Sequence, residues 1–339
     1  MTEKEESISS QCLSVVMTVH NQAAQLERNL PLFLTQQYAQ GYEVIVVNES
    51  STDDTEEVLK RLKNDYPNLY TTYIPASSHY ISRRKLALTV GIKAAHYEWV
   101  ILTNADCHPE SGQWLSSMSE SMTEDIDLIC GYTGYEDGTK GSYAYLRLLT
   151  WWRQKTHPFR HDGANLAIRK SAFMQRNGFL QNLESLRGEY DFLVNETPRE
   201  RIAVNNDAQG RLRQEAPSAQ TWRNEQMYYM DTRSHLQHAM LSRCLFCFLQ
   251  ASIHISYLIG LLALAAAIYL HNYTYTAIAA AFLLIHFSYR TFFGYRLAKA
   301  QNESIALWKM PFLDLRVAWH YLCFWLRYRF SNKEDFKRK

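Results

Sequence analysis

The chain has 339 residues, 47% of them apolar and 21% charged. That is too long for a mini-protein, too apolar for a disordered chain, and enough for one large domain or two. Lys and Arg number 36 against 34 Asp and Glu, a net charge of +2 that gives no general reason to expect nucleic acid as a partner. Six cysteines are too sparse for a disulfide scaffold.

The chain opens on MTEKEESISSQ, a polar and acidic stretch with neither the basic nor the apolar region of a secretory signal. Residues 1–11 therefore read as a polar tail, and the part that follows is expected in the cytosol. Three β-rich apolar runs come next: LSVVMTV at Leu13–Val19, EVIVV at 43–47 and WVIL at 99–102. Continuous rather than alternating apolar runs suit parallel strands covered on both faces. Helical stretches lie between them. Residues 25–38 carry Leu26, Leu30, Phe33 and Leu34 on one face, residues 53–65 carry Val58, Leu59 and Leu62, and residues 83–96 carry Leu86, Val90 and Ala94. Strand–helix–strand alternation with short connections predicts an α/β domain with a doubly wound, mostly parallel sheet.

Such sheets bind ligands at the carboxyl ends of their strands. The runs end in His20-Asn21, in Asn48-Glu49-Ser50-Ser51-Thr52-Asp53 and in Thr103-Asn104-Ala105-Asp106-Cys107, so polar and acidic groups converge on one edge. Ser51, Thr52 or Asp53 also suits helix N-capping. There is no GxxxxGK[ST] loop and no GxGxxG after the first strand. A nucleotide bound here needs its phosphates neutralised otherwise, and a divalent cation (Mg²⁺ or Mn²⁺) on a strand-end carboxylate such as Asp106 would do so.

Further on, residues 245–270 hold no Asp, Glu, Lys or Arg, and residues 275–293 hold Arg290 as their one charge. Each run is long enough to cross the roughly 30 Å of hydrocarbon as a helix. The short HNYT connection predicts a transmembrane hairpin over 241–300, with a buried hairpin of a soluble protein as the alternative. Arg243 precedes the pair, Arg296 and Lys299 follow it, and the connection has no basic residue. The positive-inside rule then places both outer ends, and the 12–240 domain, on the cytoplasmic face of the inner membrane. Residues 301–339 read as a basic aromatic tail, interfacial or re-entrant, with an imperfect third span as the alternative. From Tyr295 onward, ten Lys and Arg stand against four Asp and Glu, a net +6 suited to an anionic leaflet of membrane lipid rather than to nucleic acid.

SVVMTVHNQ, VIVVNESSTDDT and RRKLALTVGIKAAHYEWVILTNADCHP, in that order, resemble family 2 glycosyltransferases of the GT-A fold, of the membrane-anchored bacterial type. GANLA at 163–167 and RGEYDFLVN at 187–195 resemble later family segments, so the similarity covers roughly residues 12–240. The resemblance implies a nucleotide-diphosphate sugar donor, with His20 and Asn21 in the loop that borders the nucleotide. The family's metal-binding D-x-D falls on Asn104-Ala105-Asp106, so Asp106 is its remaining metal carboxylate and Asn104 a departure. The nucleobase-recognising acidic pair falls on Asn48 and Glu49, and Glu49 is suited to a uracil N3–H. Lys85 falls where the family places a basic residue near the diphosphate. The carboxylate that deprotonates the acceptor hydroxyl falls on Asp191, with Glu189 as runner-up; their i, i+2 spacing would separate them on a helix and align them on a strand. Of the QxxRW-like element, 230–234 retains only Arg233, a phosphate or acceptor contact.

Weaker patterns include the Cys244/Cys247 pair, a possible metal cluster of His157, His161 and Asp162, and Trp151, Trp152 and Phe159 as sugar-stacking or core aromatics. The expected function is metal-dependent, inverting transfer of a sugar, UDP-linked by analogy, to a lipid-linked or surface-glycan acceptor at the membrane. A non-catalytic nucleotide-sugar-binding or scaffold subunit is the alternative, favoured by Asn48, Asn104 and the eroded QxxRW. A processive synthase would need more spans.

Overall fold

The structure, a computed structural model, describes residues 11–75, 82–155, 158–161, 163–237 and 240–332, apart from the side chain of Ser242. Most of the polar tail expected over 1–11, and the last seven residues of the basic tail, lie outside the described residues.

The three apolar runs form β1 (Leu13–Val19), β2 (Tyr42–Asn48) and β4 (Trp99–Asn104). All are parallel, with Leu13 of β1 opposite Tyr42 on one side and Trp99 on the other. β3 (Leu69–Tyr73) adds a parallel strand outside β2. On the far side β8 (Leu166–Arg169) runs antiparallel to both β4 and β6 (Leu128–Cys130), and β9 (Ile202–Val204) is parallel to β6. Among the described residues this is a seven-stranded sheet of order β3-β2-β1-β4-β8-β6-β9. A smaller sheet joins β5 (Cys107–Pro109), β10 (Leu212–Gln214) and β7 (Thr133–Tyr135) in the order β5-β10-β7. Its first strand begins one residue after Asp106 and anchors the end of β4.

Helices α1 (Ala23–Leu34), α2 (Thr55–Asp65) and α3 (Arg83–Ala94) return the chain between the parallel strands. They start within two residues of the expected positions. Leu26, Leu30 and Phe33 of α1 are fully buried, as are the inward positions of β1 and β2, so the apolar stripe and the continuous strands meet in one core. Gly91 of α3 lies so close to the sheet that a Cβ there would stand 2.5 Å from Val16 Cγ1 and 3.1 Å from Val47 Cγ2.

Further helices follow: α4 (Trp114–Ser119), α5 (Gly141–Gln154), α6 (Lys170–Gln175), α7 (Glu189–Glu196) and α8 (Ala219–Thr232). The apolar runs become α9 (Met240–Tyr269) and α10 (Tyr273–Ala300), antiparallel about the short connection. Both are long and apolar enough to cross a membrane, with 17% and 22% of their most apolar windows buried. Leu258, Ile259, Leu261, Leu262, Leu284 and Ile285 are 56–69% exposed, which a buried hairpin would not leave.

The aromatic tail forms one continuous helix, α11 (Met310–Arg329), with Pro311 in its first turn. Its charges have local reasons. Asp314, 1% exposed, is held by the Arg290 guanidinium of α10 and accepts a 3.1 Å hydrogen bond from Tyr145 of α5. Trp152 packs edge-on to Phe293 of α10, and Phe324 of α11 packs against Trp222 of α8. The apolar helices are thus seated directly on the α/β part.

Candidate active site

The loops after β1 and β2 are knitted together by side chains. Asn21 and Ser50 take left-handed backbone conformations, φ 52° and 56°, which turn the chain sharply at the two strand ends. Asn21 Oδ1 accepts from the Thr52 N–H (2.8 Å), Ser51 Oγ accepts from the Asn21 N–H (3.0 Å), and Asn48 Oδ1 accepts from the Ser51 N–H (2.9 Å). His20 Nδ1 donates to the Glu49 carbonyl at 3.0 Å. Asp53 accepts from the Ala23 and Thr55 amides, fastening α1 to the start of α2, while Asp54 takes the N-cap position without a side-chain cap. His20, Asn21, Asn48 and Glu49 therefore share one rim at the carboxyl edge of the sheet. Arg83 reaches that rim from α3, donating to the Glu49 carbonyl and to Ser50 Oγ.

Beside this rim a cavity of about 330 Å³ opens between the ends of the strands, α7 and α8, within the range of small-molecule sites. Asn104, Glu189 and Asp191 line it. Glu189 and Asp191 lie in the first turn of a helix, yet both carboxylates face the cavity because the helix meets it end-on. Gly188 sets that approach. Its φ is +90°, and a Cβ there would run into Thr232 of α8.

Each carboxylate meets an arginine. Arg84 Nε is 2.6 Å from Glu189 Oε1, and its Nη2 donates to Asn104 Oδ1. Burial alone would raise the Glu189 pKa; Arg84 and Arg187 outweigh it and hold the carboxyl below its usual range. Burial pushes the Tyr190 hydroxyl up to about 12, so it stays a neutral donor, 3.0 Å from Asn104 Oδ1. Asp191 Oδ1 accepts from the His161 N–H (3.0 Å) and faces Arg160 Nε at 3.3 Å. Arg160 lies 3.6 Å over the Tyr229 ring, and Arg147 lies 3.6 Å over Tyr135. Four guanidiniums, of Arg84, Arg147, Arg160 and Arg187, thus line the cavity without the glycine-rich loop that the chain lacks.

Asp106 sits in the turn from β4 to β5 and meets the cavity through Gln214, whose Nε2 donates to Asp106 Oδ2 at 2.7 Å. Glu225 of α8 lines the cavity mouth and has no hydrogen-bond or ion-pair partner among the described residues. Glu225 is exposed, and desolvation beside the cavity together with the Asp106 charge raises its pKa, although Arg147, Arg84 and Arg187 pull the other way. Among the described residues no three His, Cys, Asp or Glu side chains form a ready-made metal cage. Two mutually repelling carboxylates, one unpartnered, do fit a cation whose remaining ligands come from a bound diphosphate.

Two expected site residues lie elsewhere. Lys85 does not line the cavity. It is fully buried, its Nζ donates to the carbonyls of Asn182 and Ser185 at 2.6 Å, and burial lowers its pKa to about 8. Its neighbour Arg84 faces the cavity instead. Arg233 lies past the end of α8 and lines a second cavity beside α9 and α11. The element that lines the first cavity starts ten residues earlier, where Gln220-Thr221-Trp222-Arg223 repeats the Q-x-x-R half of the QxxRW-like element and leads into Glu225. That spacing was the signal for Glu225. Nothing in the sequence marks Arg84, Arg147 or Arg160 before the fold assembles them.

Of the weaker patterns, Cys244 and Cys247 are exposed free thiols. His161 is buried between the Gly131 carbonyl and the Gly163 amide, whereas His157 and Asp162 lie outside the described residues. Trp151, Trp152 and Phe159 pack against Tyr132, Phe293 and Arg153 rather than lining the cavity.

The mostly parallel sheet, with helices between its parallel strands and a polar carboxyl edge, has the GT-A architecture. Residues 14–182 match the family model described as glycosyl transferase family 2. The chain thus carries a family 2 glycosyltransferase domain of the GT-A fold. Chondroitin synthase of Escherichia coli is 26% identical over 132 residues, 39% of this chain and 18% of that protein. Glycosyltransferase AglE of Haloferax volcanii is 27% identical over 121 residues, 35% of this chain and 38% of that protein. The matched segments therefore span well under half of either curated relative. Among solved structures, the mannosyltransferase PcManGT from Pyrobaculum calidifontis, in complex with GDP-Man and Mn²⁺, shares the fold with a TM-score of 0.56 and 16% identity. The alignment covers 81% of this chain and 85% of that one.

Proposed function

We propose that the protein transfers a sugar with inversion from a nucleotide-diphosphate donor, UDP-linked, to a lipid-linked or surface-glycan acceptor at the cytoplasmic face of the inner membrane. The observation that carries this is the convergence of Glu189, Asp191 and Glu225 with four arginines in one cavity beside the β1 and β2 rim, which Asp106 adjoins through Gln214. The base and ribose lie against His20, Asn21, Asn48 and Glu49. Glu49, whose side chain makes no hydrogen bond among the described residues, accepts the uracil N3–H. Asp106 and Glu225 would hold a divalent cation together with the diphosphate, and that cation would supply charge stabilisation for the departing nucleotide. A Mn²⁺ complex in the fold neighbour supports this reading, and its GDP-Man makes GDP-sugars the donors to test against UDP-sugars. Arg84 and Arg147 add fixed positive charge that is already desolvated. Asp191 takes the proton of the attacking hydroxyl, while Arg160 and the His161 N–H fix its orientation; Glu189 positions Arg84.

A second reading, a nucleotide-sugar-binding scaffold subunit, is favoured by one observation. Asn48 and Asn104 spend their side-chain oxygens inside the protein, on Ser51 and on Arg84 and Tyr190. Nucleotide release from a panel of UDP- and GDP-sugars by solubilised protein, with total membrane lipid as acceptor and with Mn²⁺, Mg²⁺ or EDTA, separates the two. Metal-dependent turnover of one UDP-sugar supports the transferase, whereas donor binding without release supports the scaffold.

A further inference from the structure

The second cavity, of about 490 Å³, lies where the α/β part meets the apolar helices. Its walls come from the ends of α5 and α8, the first turns of α9 and the middle of α11. Three guanidiniums line it, those of Arg153, Arg233 and Arg243, and among the described residues no Asp or Glu does. A positive chamber without a carboxylate is costly unless an anion completes it.

Two groups point to a missing partner. Arg243 donates through Nη2 to the Leu236 carbonyl, but its buried Nε has no hydrogen-bond partner. Gln250, only 5% exposed, has a buried Oε1 with no partner. A half-turn of that amide presents its N–H instead. Buried donors and amides are normally satisfied, and these two line the same cavity.

The remaining walls are mainly aromatic and apolar, with Phe246 of α9 and Tyr321, Leu322 and Trp325 of α11 among them, and both ring nitrogens of His254 are taken up by the Gln250 and Leu315 carbonyls. Depth is consistent with this chemistry, because Arg243 is the first residue of the apolar span that continues to Tyr269. A cavity at the start of a span lies at the level of lipid headgroups, with hydrocarbon on one side and water on the other. A phosphate matches the guanidinium fork bidentately, and acyl or prenyl chain matches the α9–α11 wall. A free nucleotide would leave that apolar wall uncovered.

We propose that this cavity binds the phosphate headgroup of a membrane lipid, held by Arg153, Arg233, Arg243 and Gln250, with its chain lying between α9 and α11. The assignment rests on the membrane part of the proposed function, and it gives Arg233 a lipid phosphate rather than the donor diphosphate as its ligand. Tyr229 lines both cavities, so a headgroup held here adjoins the sugar-transfer site.

The test uses full-length protein in uncharged detergent, titrated with dioctanoyl phosphatidic acid, dioctanoylglycerol and inorganic phosphate. Saturable binding of the phosphatidic acid is expected, at least tenfold tighter than the diacylglycerol and at least 100-fold tighter than inorganic phosphate. The Arg233→Gln/Arg243→Gln variant should weaken it tenfold or more, and Gln250→Leu severalfold. Nucleotide binding in the first cavity, measured on the same samples, shows that each variant is folded; should the double variant fail that check, Arg243→Lys and Gln250→Leu carry the test. Equal affinity for the charged and uncharged lipids, or affinity unchanged in folded variants, overturns the proposal. Inorganic phosphate binding as tightly as the lipid also overturns it, in favour of a free-phosphate site. Donor turnover is read in parallel. Its absence with lipid binding intact would fell the transferase reading alone, and turnover without lipid binding would fell this one alone.

Discussion

Arg84 and Lys85 follow one another on α3, and the roughly 100° between successive helix residues gives them different surroundings. Arg84 reaches Asn104 and Glu189 in the cavity, whereas Lys85 is sealed under the carbonyls of Asn182 and Ser185. Lys85 carries a pH signature. Its folded pKa of about 8 lies below the usual 10.5, so the folded state binds fewer protons than the unfolded chain between those values. The destabilisation from burying its charge is full below pH 8 and is relieved as pH rises towards 10.5. Thermal melting of wild type against Lys85→Met should therefore show a difference moving in favour of wild type from pH 8 to 10; a difference flat across that range would contradict the assignment. Among the carboxylates, Asp191→Asn should lower kcat by about 10²–10⁴-fold with donor affinity little changed, the size expected for losing a general base. Donor affinity falling with kcat would place Asp191 in donor binding instead. Arg84 and Lys85 also mark where the sequence stops being informative. Both are basic, and a one-residue difference in helix phase, fixed by packing, decides which faces the cavity.

At the scale of elements, the continuous apolar runs made β1, β2 and β4 legible, since strands covered on both faces admit few polar residues. β3 was not foreseen: LYTTY at the sheet edge has half-exposed residues and no such run. The strand-end residues were legible for a related reason, because chain direction in a parallel sheet brings all carboxyl ends to one edge. Glu225 was missed because its one signal, the Gln220–Arg223 spacing just before it, lacks the tryptophan that completes the element, and α8 otherwise reads as a surface helix until it packs against the cavity. The i, i+2 spacing of Glu189 and Asp191 left open whether they would share a face, and the end-on approach of α7 is what unites them. Close packing of α3 on the sheet also has a measurable cost. Gly91→Ala should destabilise the protein by about 1–3 kcal/mol through overpacking against Val16, read as a lower denaturation midpoint. An unchanged midpoint would mean that α3 can move away freely.

For the whole molecule, the apolar helices and the α/β part are joined by charges that look misplaced in the sequence. Arg290 and Asp314 are 24 residues apart and become partners only when α10 and α11 pack together. Removing one partner leaves the other buried, so Asp314→Ala should cost about 3–5 kcal/mol and loosen α11 from α10, whereas Arg290→Met/Asp314→Leu should recover most of it. Melting in detergent checks both. The proposed orientation has its own test. A cysteine placed at His271, in the turn between α9 and α10, should be labelled by an impermeant thiol reagent from outside the cell, and one placed at Asn302 should not; the reverse pattern would invert the topology. The central claim is that Asp106 and Asp191 act together in sugar transfer. Its most direct measurement is nucleotide release by wild type, Asp106→Ala and Asp191→Asn, with the best donor of the panel and Mn²⁺. Metal-dependent release by wild type, lost in both variants while both keep the wild-type fold, is the predicted result. Release that survives either substitution at the wild-type rate would contradict it.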